Sequence, residues 1–288
     1  SGFGYRFRAE AFTSRDDIDA RLAKDIPHHE PARLALPGRL PGYESQGGDL
    51  VVTLPCPELG RDAAGDARRL FVRAHVPGYS GDRNAGEGSR NDEAYGAGTR
   101  AAVAFANHAS EKLSCGGKSL PVPPKASRPE PVPLKETAGT PCAALGDAPL
   151  PAWADGPVHV RISEQAPLGS CVLRASRDGR GEPGPGSVTP SEDETLDLTA
   201  FYGDWSDRLW KESGRKKPWM NATSGWATAR CDGAAAAFRV RMRGDEGKPV
   251  LDAKQMKSLL VDFAEQQAET RDCKALLMPP RAGSGGID

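Results

Sequence analysis

Six cysteines, at positions 56, 115, 142, 171, 231 and 273, are the residues most able to do chemistry in this chain. None stands in a C-x-x-C pair, the spacing that lets two thiolates converge on a metal or on each other. Their even number and wide spacing instead predict disulfides, and with them an oxidising compartment. Five histidines (28, 29, 75, 108, 159) are scattered and assemble no site. His28-His29-Glu30 reads as a solvated loop, and His75 and His159 fall in strand-like runs. No G-x-S-x-G elbow, H-E-x-x-H helix or G-x-x-x-x-G-K loop occurs. The prolines in "GRGEPGPG" remove the backbone donors that a phosphate cradle needs. Asp82 opens an acidic stretch resembling a calcium loop, but no glutamate occupies the twelfth position. No metal and no cofactor is expected.

The aromatic residues are distributed asymmetrically. All five tryptophans (153, 205, 210, 219, 226) lie in the second half, four of them in a segment that also holds Phe201 and Tyr202. Tryptophan stacks on sugars and packs against peptides. Tyr202, Trp205, Trp210, Trp219 and Trp226 are therefore the candidate ligand face, rimmed by Arg215, Lys216 and Lys217. The competing expectation is that these side chains complete a core.

The elements that must position these residues are written twice. "FANHASEKLSCGGKSLPVPP" begins at Phe105 and "FAEQQAETRDCKALLMPP" at Phe263. In both, Phe-Ala is followed at the same interval by Cys, then Lys, a small residue, Leu and finally Pro-Pro, with Gly116-Gly117 inserted in the first. Upstream of each lies a strand-like run, "LFVRAHV" or "AFRVRMR", preceded by another cysteine. The symmetry predicts Cys56–Cys115 and Cys231–Cys273, leaving Cys142–Cys171.

Met256, Leu259, Leu260, Phe263, Ala264 and Gln267 mark one stripe of a helix, capped by Asp252 with Gln255 three residues on. Ala101, Ala102, Phe105, Ala106 and Ala109 make the corresponding stripe, for which Thr99 is the expected cap. After each cysteine a short strand closed by proline is expected. Further strands are predicted at "GYRFRAEAF", "DLVVTLPC", "VHVRIS", "CVLRAS", "TLDLTAFY" and "GWATARC", and a helix at "SRDDIDARLAKDI". Runs of strands with few, late helices favour α+β over parallel α/β.

The expected architecture is thus two tandem related domains, each an antiparallel sheet packed by one or two helices and stapled by disulfides. Residues 1–124 would be the first repeat, 125–139 a proline-rich linker, 140–280 the second repeat and 281–288 a flexible tail. Loops are expected from Gly78 and from Ser176. With 38 Lys+Arg against 39 Asp+Glu the charge is balanced, so no field draws nucleic acid. No apolar run is long enough to span a bilayer. The chain starts Ser1-Gly2-Phe3, so an upstream leader or membrane anchor is expected.

Its richness in Ala, Gly, Arg and Pro, with cysteine-flanked strands and helices, resembles the extracytoplasmic parts of uncharacterised actinobacterial lipoproteins and single-pass membrane proteins. That resemblance implies a cell-envelope location and supplies no site residue. The expectation is a non-catalytic extracytoplasmic binding or interaction module, secreted or anchored facing outward. Its partner would be a cell-wall glycan or another envelope protein. The alternative is a cell-surface enzyme, a hydrolase with its site in an interdomain cleft.

Overall fold

The computed structural model describes residues 8–12, 34–37, 40–44, 49–61, 68–75, 90–125, 130–150, 154, 156–162, 166, 168–174, 195–203, 206, 217–231, 233–243 and 251–280. The expected helix at 14–26, the loop from Ser176, His28, His29, Trp205, Trp210 and the tail lie outside these residues. By their contacts the residues divide into two compact units, Ser1–Pro129 with Ser163–Gly169, and Glu130–Ile162 with Ser170–Asp288.

The first unit is a five-stranded antiparallel sheet in the order β1-β5-β4-β3-β2. Its strands are β1 (Arg8–Phe12), β2 (Leu34–Ala35), β3 (Gly42–Glu44), β4 (Leu50–Pro55) and β5 (Arg69–His75). One helix, α1 (Arg90–Lys112), covers a single face of this sheet. Alternation along the strands sends Leu50, Val52 and Leu54 of β4 and Leu70, Val72 and Ala74 of β5 toward it. They pack there with Tyr95, Ala102, Val103 and Ala106. α1 begins nine residues before Thr99, which is consequently no cap. Thr99 lies buried inside the helix and donates from Oγ1 to the Tyr95 carbonyl at 2.8 Å, the way a mid-helix threonine satisfies its hydroxyl.

The second sheet has the order β12-β10-β11-β8-β7-β6, with β9 also paired to β10, and apart from Leu168 and Gly169 at the start of β7 it belongs to the second unit. Its strands are β6 (Val158–Arg161), β7 (Leu168–Arg174), β8 (Thr195–Tyr202), β9 (Trp219–Met220), β10 (Ser224–Cys231), β11 (Ala234–Arg243) and β12 (Lys274–Leu277). A short α2 (Ala143–Gly146) and the long α3 (Ala253–Thr270) pack on one face. The Asp252 capping box starts α3 as the sequence predicts, Gln255 N–H donating to Asp252 Oδ1 at 2.7 Å and Asp252 N–H to Gln255 Oε1 at 2.9 Å. Met256, Leu259, Leu260, Phe263 and Ala264 are buried beneath it against Leu196, Leu198, Phe238 and Val240. Part of the expected linker is docked here, because Val132 exchanges backbone hydrogen bonds with Val158 at 2.8 and 2.7 Å.

All six cysteines are paired, as Cys56–Cys115, Cys142–Cys171 and Cys231–Cys273. Such bridges persist in an oxidising, extracytoplasmic environment. Among the described residues no helix is long and apolar enough to cross a membrane.

Four strands of each unit follow one order. The run β1-β5-β4-β3 has the same order and antiparallel sense as β8-β11-β10-β9. In each, the second cysteine follows the helix, while the first directly follows its strand in one unit (Cys56 after β4) and ends it in the other (Cys231 in β10). Both helices also finish alike. Ser114 (φ 51°) and Asp272 (φ 48°) take the left-handed conformation one residue before the cysteine. Cys115 N–H then reaches back to the Ser110 carbonyl at 2.9 Å and Cys273 N–H to that of Ala268 at 2.8 Å. This is the six-to-one bond of a Schellman cap.

After the cysteines the units diverge. Residues 274–277 form β12 against β10, whereas 118–124 form no strand. The Asn107 side chain instead holds both backbone groups of Leu120 at 2.8 Å, following the turn at Gly116 (φ 74°).

Candidate functional site

The turn at Gly233 (φ 83°) sets the β10–β11 register so that Trp226 lies opposite Arg239. Pairing of β9 with β10 puts Trp219 on the other side of Trp226, and β8 brings Thr199 opposite Arg239. Trp219, Trp226, Arg239 and Thr199 therefore form one row across four strands, on the face turned away from α3. The two indoles stack with ring centroids 5.4 Å apart, tilted by 46°. The Arg239 guanidinium carbon sits 5.2 Å over the Phe201 ring, within range for cation–π attraction. Trp226 is 3% exposed and Trp219 is half-buried, so only Trp219 offers part of its ring outward. Asp197, opposite Arg241 in the β8–β11 register, is buried on the same face.

Tyr202 does not belong with these tryptophans. Adjacent residues on a strand face opposite ways, so while Phe201 shares the face of the tryptophans, Tyr202 points under α3. There it meets Phe238 edge-on at 6.1 Å and donates its hydroxyl to Gln267 Oε1 at 3.3 Å. The Arg271 guanidinium carbon lies 3.5 Å from its ring centroid. Burial pushes the Tyr202 phenol up to about 12, with the Arg271 charge pulling against it. Gln267 Nε2 donates onward to the Pro141 carbonyl at 3.0 Å, beside the Cys142–Cys171 bridge. Tyr202 is thus part of the core of the second unit. Trp219 and Trp226 are brought together, and Trp205 and Trp210 lie outside the described residues.

The equivalent row in the first unit is Tyr43, Val51, Arg73 and Glu10. An aromatic residue on the short strand and an arginine two strands away recur at the same places. Here the arginine is engaged by Asp49, whose side chain is 4% exposed and whose Oδ2 accepts from Arg73 Nε at 2.6 Å and from Nη2. Asp49 Oδ1 lies 2.8 Å from His75 Nδ1. Since a carboxylate only accepts, this contact has the imidazole donating from Nδ1, which leaves Nε2 as its acceptor nitrogen, on a side chain 54% exposed. An imidazole so held can accept a proton at Nε2. Neither Arg239 nor the Asp49–His75 pair was identified from the sequence.

Among the described residues no group of three or more His, Cys, Asp or Glu side chains is placed to hold a metal ion. No protein-family model matches the chain, no curated protein is significantly similar to it, and no solved structure matches it.

Proposed function

We propose that this protein is an extracytoplasmic, non-catalytic binding module made of two tandem related repeats, its partner a cell-wall glycan or another envelope protein. The observation that carries the binding reading is the fixed aromatic row. Trp219 packs against Trp226 on the neighbouring strand, and on the other side of Trp226 the Arg239 guanidinium lies over the Phe201 ring. A partly exposed indole on a rigid sheet can stack on a sugar or peptide with little loss of side-chain freedom. The shared strand order, the matching disulfides, the paired helix caps and the recurring aromatic-to-arginine row support a duplication. Three closed disulfides support export.

Cosedimentation of the full chain with insoluble cell-wall glycan tests this reading. Trp219→Ala should weaken retention about tenfold, the scale of losing one aromatic anchor. Tyr202→Phe, on the opposite face, should leave it unchanged. Failure of both the native chain and in situ crosslinking to find any glycan or envelope protein would remove the binding reading. A surface hydrolase is the second reading, favoured by the Asp49-held His75. It requires turnover of an ester or glycan substrate that His75→Ala abolishes.

A further inference from the structure

A segment closed by Pro-Pro follows each long helix, and the two are used in opposite ways. After α3, Lys274–Leu277 enters the sheet as β12, Pro279 is buried, and its carbonyl accepts from Lys257 Nζ at 3.1 Å. A third proline-bracketed stretch, Pro131-Val132-Pro133, is likewise tied down, through the bridge of Val132 to Val158. After α1, Lys118-Ser119-Leu120-Pro121-Val122-Pro123-Pro124-Lys125 forms no strand.

Composition fixes the conformation of this last segment. Each proline sets its own φ and drives the residue before it toward extended backbone, and between them Pro121, Pro123 and Pro124 constrain every residue from 120 to 124. The product is polyproline II, a left-handed helix of about three residues per turn without internal hydrogen bonds. Exposure along the segment follows that period, where a strand would alternate. Leu120 and Pro123 are half-buried, whereas Lys118, Ser119, Pro121, Val122, Pro124 and Lys125 are exposed. The 120–123 edge is the anchored one. Leu120 packs on the core of the first unit, and the Asn107 side chain holds both of its backbone groups at 2.8 Å. Two edges face outward, one carrying Lys118, Pro121 and Pro124 and the other Ser119, Val122 and Lys125, with Val122 47% exposed.

A displayed polyproline ridge is bound by grooves walled with aromatic rings, and because it is formed in advance it loses little freedom on docking. Lys118 and Lys125 stand at its two ends, and residues 113–125 contain no Asp or Glu, so carboxylates flanking the groove would complement it. We propose that residues 118–125 are a docking peptide for a partner protein whose groove is lined by aromatic side chains and flanked by acidic ones. This site belongs to the first unit and stands whether or not the tryptophan row binds a glycan.

Calorimetric titration of the full chain tests the proposal, with an isolated SH3 domain that selects Lys/Arg-x-x-Pro-x-x-Pro ligands as the probe groove. The native chain should bind it at a single site. Pro121→Ala and Pro124→Ala should each weaken binding about tenfold, and Lys118→Glu by as much. Pro280→Ala, at the end of the corresponding segment of the second unit, should leave it unchanged. All three binding variants alter exposed side chains, so their circular dichroism should match that of the native chain. A synthetic peptide of residues 116–125 should compete with the native chain for the domain, which separates a lost ligand from a lost fold. A native chain that does not bind the domain, or binding indifferent to Pro121 and Pro124, overturns the proposal.

Discussion

Tyr202 keeps its proton far into the alkaline range because the space beneath α3 offers little solvation to a phenolate. The unfolded chain releases that proton near the ordinary value of 10, and the folded chain only at about 12. Between the two the unfolded state binds fewer protons, so stability falls as pH rises through this window, by roughly 3 kcal/mol in all. Below it Tyr202 contributes no pH dependence. The difference in phenolate absorbance between the native protein and Tyr202→Phe should show one group titrating near 12. In Arg271→Ala, which lacks the opposing charge, the transition should move higher still. A group titrating near 10 would mean that Tyr202 is solvated. The same residue shows why the candidate ligand face was only partly legible. Composition gathers aromatic residues along the chain, whereas a strand sorts them by parity, so Phe201 and Tyr202 part company. Alternation within "AFRVRMR" puts Arg239 on the face opposite Phe238, but only the pairing of β10 with β11 sets it in one row with Trp226. The Asp49–His75 contact had no such local signal, because it depends on the pairing of β4 with β5 across an intervening loop.

At the scale of elements, the two helix ends carry a measurable cost. Ser114 and Asp272 occupy the left-handed region, which a side chain bearing Cβ enters unfavourably and glycine does not. Ser114→Gly and Asp272→Gly should therefore each stabilise the protein, by about 1 kcal/mol, in denaturant titrations. The exposed Asp272–Lys274 pair lost in the second case offsets little. Destabilisation by either change would show that the side chain is needed at the cap. These caps also explain what sequence patterning could deliver. α3 was legible because its stripe, its capping box and its end all agree. The start of α1 was not, since Tyr95 and Thr99 carry the helix back beyond its alanine stripe, and no cap residue marks a boundary at Thr99. A strand at residues 118–124 was expected from the likeness to 274–280. The two inserted glycines redirect the chain, and a Cβ on Gly117 would come within 2.9 Å of the Pro55 carbonyl.

For the molecule as a whole, the decisive property is that among the described residues the two cores have no residue in common. One is built on α1 from side chains between Ala9 and Leu120, the other on α3 from side chains between Leu134 and Met278. Each also has its own bridge from a hairpin strand to the end of its helix, closing 59 residues in one unit and 42 in the other. Bridges over such lengths contribute about 4 kcal/mol each by restricting the unfolded chain. All five tryptophans fall between residues 153 and 226, so indole emission reports on the second unit, while circular dichroism reports on both. Replacing Cys56 and Cys115 with alanine should therefore split the denaturant transition. Part of the dichroism should be lost early, with the emission midpoint left close to native. Replacing Cys231 and Cys273 should do the reverse and move the emission midpoint to lower denaturant. If emission and dichroism shift together in both variants, the two cores unfold as one cooperative body, and separate bridges would not mean separate stabilities.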